Sequence, residues 1–240
     1  MLHLSYAGFE LRKWWRDSMS RFMLLYPLLL GAVGRFIIPF AENQSGTTFA
    51  LYYHVILATL ALMVGRIGGA VVAFSILDDR DDNVLFSVQV APLSVEFFIG
   101  LKLFLVFVLT WVGTAFVLWF ANLVPLPAGV ILGTSFLAAF GAPLAALLIN
   151  CVSKNKVEGF AAMKSLGALL IFPVAALFFV DIKEFLFALD PAFWPAKALS
   201  TAILGEGIHQ LGYTTYLALG LVYVAAATVL AYRVFKRRLI

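Results

Sequence analysis

Six long apolar runs alternate with short polar segments along the chain. Each run is close to the roughly 20 residues that cross a bilayer as helix. They fall at about 22–40, 50–77, 95–120, 128–149, 159–180 and 211–232. Pro27 and Arg35 interrupt the first, and Pro173 predicts a kink in the fifth. The second is the longest; as helix its 28 residues would measure about 42 Å against a hydrocarbon core of about 30 Å. It must tilt or protrude, and protrusion would carry the segment that follows it toward a partner. Ahead of the first run, residues 6–21 repeat with helical period. Leu11, Trp15, Met19 and Phe22 share one face with Trp14 beside them, and Arg12, Lys13, Arg16, Asp17 and Arg21 take the other. Tryptophan and arginine at this spacing suit a helix lying in the membrane interface. Between the fifth and sixth runs, residues 181–210 are expected to form two short interfacial helices. The first starts at Asp181 with Glu184 three residues on and ends near Asp190-Pro191. The second opens at Pro195 and ends at Gly205. The expected fold class is an all-α polytopic membrane protein: an interfacial segment 1–21 followed by one six-span domain, 22–240.

Composition agrees with that class. Of 240 residues 63% are hydrophobic and 12% charged, about half the charge of a soluble domain, where roughly 25% is usual. The net charge of +4 is concentrated at the chain ends, which concerns topology and anionic headgroups and not nucleic acid. The N-terminal flank (Arg12, Lys13, Arg16, Arg21) and the C-terminal tail (Arg233, Lys236, Arg237, Arg238) carry four basic residues each, segment 78–94 one and segment 150–158 two. On the opposite side, 41–49 and 121–127 carry none and 181–210 two. This bias places both termini in the cytoplasm. The first 20 residues lack an early apolar core, so no cleavable signal peptide is expected. A single cysteine, Cys151, excludes an internal disulfide and a cysteine-based metal cluster.

The densest charge cluster is Asp78-Asp79-Arg80-Asp81-Asp82-Asn83, followed by Val84-Leu85-Phe86-Ser87-Val88-Gln89-Val90-Ala91 and the stop Pro92-Leu93-Ser94. Flanked by apolar runs, it is expected in water, with Asp82 or Asn83 capping a short helix that Pro92 ends. Ser94 can then cap the third span, with Glu96 in its first turn. The plain alternative is a solvated loop. A DDxDD cluster can also hold Mg²⁺, but no second acidic cluster accompanies it. The acidic-Arg-acidic segment, some ten residues of mixed character, Pro-Leu-Ser and a new span with Lys102 early in it resemble the permease subunits of type-2 ABC exporters. Phe193-Trp194-Pro195-Ala196-Lys197-Ala198 and the Asp-Asp-Arg-Asp segment are similar to bacterial fluoroquinolone-export-type permeases in particular. The acidic segment departs from the commoner pattern, having Asn83-Val84 where Gly-Thr is usual.

The resemblance implies a site made for coupling and not for catalysis. Two six-span permeases, as two copies or with a related chain, would pair in the bacterial inner membrane. Two ATP-binding subunits would dock on the short helix 84–91 and on the N-terminal helix (Arg12, Trp14, Trp15, Arg16). ATP and Mg would be bound by those partners, with no cofactor in this chain. Asp78, Asp79, Arg80, Asp81, Asp82 and Asn83 would set the coupling helix, Val84, Leu85 and Val88 would dock, and Pro92 would end it. The substrate would be an amphipathic or hydrophobic compound moved out of the cytoplasm.

Motifs for other chemistry are missing: the chain has no G-x-x-x-x-G-K, H-E-x-x-H or G-x-S-x-G. No polar catalytic set falls at helical spacing inside a span, and no Asp or Glu lies deep in one, which weighs against a proton-coupled carrier. Arg35, Arg66, Lys102 and His54 fall within spans, where a charge either lines a polar path or snorkels to headgroups. Snorkelling is expected of Arg35, Lys102 and His54; for Arg66 the two readings balance, and Arg66 with Arg35 are the candidate pathway residues. Gly31, Gly34, Gly65, Gly68 and Gly69 allow close helix approach. A membrane scaffold or sensor and a secondary carrier are the remaining readings.

Overall fold

The computed structural model describes residues 2–82, 84 and 94–239. Within these, all regular structure is helical, and six helices are long and apolar enough to cross a membrane: Ser18–Ser45, Ala50–Asp81, Val95–Ala121, Ala128–Val152, Lys156–Ala176 and Tyr213–Arg237. An even number of crossings puts both chain ends on one face of the bundle, here called the terminal side. The second and fourth spans form its centre, 61% and 72% buried over their apolar windows, against 17% for the first, fifth and sixth.

Small residues set the central contact. A Cβ at Gly69 would lie 2.6 Å from the Ala142 carbonyl oxygen and 2.7 Å from Ala145 Cβ, and one at Gly65 3.2 Å from the Ala138 carbonyl. The second and fourth spans therefore touch backbone to backbone, as small residues permit between helices in lipid. Gly34 does the same for the first span, where a Cβ would meet Ala121 of the third at 2.5 Å.

Breaks follow local chemistry. The first span loosens into a π-turn at Val33–Ile37, around Arg35 and just ahead of Pro39. The fifth is interrupted between Ala168 and Ile171, one turn before Pro173, whose missing N–H and bulky ring remove the helical bond to that turn. The third starts as expected, Ser94 Oγ accepting from Phe97 N at 3.2 Å.

Two expectations need correction. The amphipathic segment is not continuous over 6–21. The N-terminal helix is Leu2–Arg16, and Asp17 starts the first span as its N-cap, its carboxylate accepting from Ser20 N at 2.8 Å. Segment 181–210 does not lie flat in the interface either. A 3₁₀ turn, Ile182–Phe187, leads inward to Leu189-Asp190, and a helix, Phe193–Leu204, returns outward to Gly205 at φ 106°. Phe193 through Thr201 are all buried, packed against Leu57, Ala58, Ala61 and Leu62 of the second span. This is a re-entrant hairpin. At its tip the Leu189 carbonyl accepts from Tyr223 Oη at 2.7 Å, deep within the sixth span. Its shortness suggested a surface position, yet its helix is apolar on nearly every side, which suits burial among helices.

Candidate functional site

The acidic stretch is mostly helix and partly buried. The helix of the second span runs on through Asp81, so Asp78, Asp79 and Arg80 occupy its last turn, at the negative end of the macrodipole where carboxylates are disfavoured. They are held there by cations from three other elements. Successive residues point about 100° apart on a helix, and each of the three reaches a different neighbour. Asp78 pairs with Lys156 at the start of the fifth span, 2.9 Å away. Asp79, 1% exposed, pairs with Lys13 of the N-terminal helix and with Lys102 of the third span, both at 2.5 Å. The Arg80 guanidinium lies 5.3 Å over the ring of Phe235 in the sixth span, and its Nη1 donates to the Asn150 carbonyl of the fourth at 3.5 Å.

Lys102 is the centre of this hub. Fully buried, it also donates to Ser75 Oγ at 2.8 Å and pairs with Glu10 at 3.0 Å. Two carboxylates (Asp79, Glu10) thus face two ammonium groups (Lys13, Lys102), and the cluster is neutral. Burial alone would lower the Lys13 ammonium, but its hydrogen bond and charge contact with Asp79 prevail and hold it above the usual lysine value. Snorkelling is therefore wrong for Lys102. The N-terminal helix covers that end of the third span, leaving no route to headgroups and supplying Glu10 instead. The same cover buries Trp14 in the core cluster of Val71, Phe74 and Phe98 and leaves Trp15, placed with it in the sequence, half-exposed.

Asp81 and Asp82 are exposed, and Val84 packs against the core below the hub. Asp78 and Asp79 belong to the last turn of the second span and are taken up in its ion pairs. Asn83, Leu85, Val88 and Pro92, with the rest of the expected coupling helix, lie outside the described residues.

Residues 10–232 match the family described as Rv2686c-like, fluoroquinolones export permease protein. The chain belongs to this family. It is 26% identical to the fluoroquinolones export permease proteins of two Mycobacterium tuberculosis strains, CDC 1551 and H37Rv, over 95% of this chain and 92% of theirs. No solved structure matches the chain. It is accordingly a multi-pass membrane protein of a permease family, as the resemblance implied.

Of the intramembrane charges of this permease, Arg66 is paired as Lys102 is, but at the middle of the bundle. It lies halfway along the second span and pairs at 3.6 Å with Asp190, at the tip of the re-entrant hairpin. Both border a cavity of about 310 Å³ with Leu62, Leu144, Phe172 and Pro195. No span carries a deep carboxylate; the hairpin delivers one from outside. Arg35 projects from the exposed face of the π-turn beside Phe36 and Ile37, away from this cavity. His54 is buried under the hairpin side and does not snorkel.

A second buried polar set was not legible in the sequence. Glu184 pairs with Lys197 at 2.7 Å and accepts a short hydrogen bond from Tyr216 Oη. His209 lies 3.5 Å from the same carboxylate and 2.8 Å from Ser200 Oγ. Burial would raise the Glu184 carboxyl, but its bonds to His209, Lys197 and Tyr216 hold it down at about 2. Glu184 looked like the return partner of a capping box at Asp181. Asp181 does cap, accepting from Lys183 N at 3.2 Å, while Glu184 turns inward and locks the two arms of the hairpin to the sixth span. The spacing 184, 197, 209, 216 follows no helical period, so no pattern in the chain announces it.

Proposed function

We propose that this permease is the membrane subunit of an ATP-binding-cassette exporter in a bacterial cytoplasmic membrane, with both termini and the acidic stretch inside the cell. Two copies, or this chain and a related one, would pair. Two ATP-binding partner subunits would dock on the segment 78–92 and the N-terminal helix, and ATP and Mg would be bound there. The observation that carries the reading is the hub. Its three consecutive residues tie the end of the second span to the N-terminal helix and to the third, fourth, fifth and sixth spans. A push on the segment just beyond Asp82 would reach all of them together, through the ion pairs of Asp78 and Asp79 and the hydrogen bond and ring contact of Arg80.

The Arg66–Asp190 pair would then line the substrate path. It offers both charge signs inside an apolar cavity, which suits an amphipathic compound. The relatives' name makes a fluoroquinolone the first substrate to try. The lysine and arginine bias supports the orientation.

The test is purification of the tagged chain from its native membrane in mild detergent, with identification of what accompanies it, beside the variant Asp81→Lys/Asp82→Lys. These two exposed acids lie outside the buried pairs, so their replacement leaves the fold in place. A P-loop ATPase that accompanies the native chain and is lost with the variant supports the reading. Its absence with the native chain would favour a scaffold or a secondary carrier.

A further inference from the structure

The N-terminal helix has two unlike faces. Glu10, Lys13 and Trp14, spaced i, i+3, i+4, turn inward to the hub. Leu11, Arg12, Trp15 and Arg16 turn the other way and border a cavity of about 720 Å³. That volume falls within the roughly 300–1,000 Å³ of small-molecule sites. The remaining wall comes from the first three spans and is almost wholly apolar: Pro27 and Leu28, Val64 and Gly68, Leu109 and Phe116 among others. On the third span the lining runs from Val106 to Phe116. At 1.5 Å per residue that is about 15 Å, half the thickness of a hydrocarbon core of about 30 Å.

Charge at the mouth is unbalanced. Arg12 and Arg16 stand one turn apart, both exposed. Every ion pair of the neighbourhood goes to Lys13 or Lys102, and no carboxylate side chain of the described residues pairs with either arginine. The remaining residues of the chain contain no Asp or Glu. Two guanidinium groups at the interface, above an apolar groove one leaflet deep, match a phosphate carrying a hydrocarbon chain. Arginine suits phosphate through its planar fork of donors, and Trp15 at the same level sits where amphipathic rings favour the headgroup boundary.

We infer that this groove is a binding site for one acidic phospholipid of the leaflet on the terminal side. Arg12 and Arg16 hold the headgroup phosphate, and an acyl chain lies between the first and third spans. The bound lipid would brace the outward face of the N-terminal helix, whose inward face carries Glu10 and Lys13 of the hub. The site stands on this geometry alone and does not depend on the proposed transport activity.

Native mass spectrometry of the purified chain, titrated with phosphatidylglycerol or phosphatidylcholine of identical acyl chains, tests it. Phosphatidylglycerol should be retained about tenfold better than phosphatidylcholine. Arg12→Gln/Arg16→Gln should abolish that preference, and Arg12→Lys/Arg16→Lys should keep most of it. Leu109→Trp, which fills the groove below intact arginines, should reduce retention of both lipids. Equal retention of the two lipids by the native chain overturns the site, as does an undiminished preference in the glutamine pair. Disulfide cross-linking between two copies carrying Leu28→Cys would also overturn it, since a second protomer would then cover the groove.

Discussion

At the scale of single residues, the permease shows how a charge is kept inside an apolar bundle. Lys102 is tolerated because Asp79, Glu10 and Ser75 surround its ammonium, and because Lys13 balances the second carboxylate. Removing one member leaves an uncompensated buried charge, which costs about 3–5 kcal/mol. Lys102→Met should therefore sharply lower the thermal unfolding midpoint of the detergent-solubilised chain. Adding Asp79→Leu leaves Glu10 and Lys13 as a balanced pair and should recover much of the loss. A double variant no better than the single one would mean that the cluster is not a closed set of charges.

Elements meet through small residues and through the hairpin lock. Gly69 is where the second and fourth spans touch, so Gly69→Leu must push the Ala142 and Ala146 backbone and the Ala145 methyl aside. Overpacking of this kind costs about 1–3 kcal/mol, and a lower yield of monodisperse protein is expected. Gly100, with nothing within 4 Å of its added Cβ, should accept Ala without loss. The hairpin is locked by a carboxylate held at about 2, below its ordinary value. Such a group contributes stability that is complete above the ordinary carboxyl range and lost as pH falls through that range toward 2. Thermal scans from pH 6 downward should show that decline in the native chain. Glu184→Gln should be less stable at pH 6 and lack this part of the decline; parallel profiles would show that the lock does not titrate.

For the whole molecule, the pairing of Arg66 with Asp190 joins the core of the bundle to a segment that enters from the far side. The hairpin is not itself a span, and its contact with the second span lies on the same helix as the hub. Under the proposed function, Arg66→Gln should cut fluoroquinolone efflux at least tenfold in cells while the chain still reaches the membrane and keeps its partner. Efflux at the native rate with Arg66→Gln would place the path elsewhere.

Order along the chain was enough for the one-dimensional features of this permease. Six apolar runs of bilayer length, their bounds within a few residues, the Ser94 cap, the Pro173 break and the basic bias all arise from neighbours in sequence. The family resemblance rests on the same kind of signal, since its two motifs are contiguous. Which charges are buried, and with what, depends instead on packing. Asp79 meets Lys13 and Lys102 from 66 and 23 residues away, and Glu184 gathers Lys197, His209 and Tyr216 across 32 residues. A charge read alone looks destined for water, because desolvation without a partner is prohibitive. Only the folded bundle brings up the partner that makes burial tolerable. The hairpin is the same case at larger size: a helix of 12 residues, too short to span, looks interfacial until the surrounding helices offer a place for it inside.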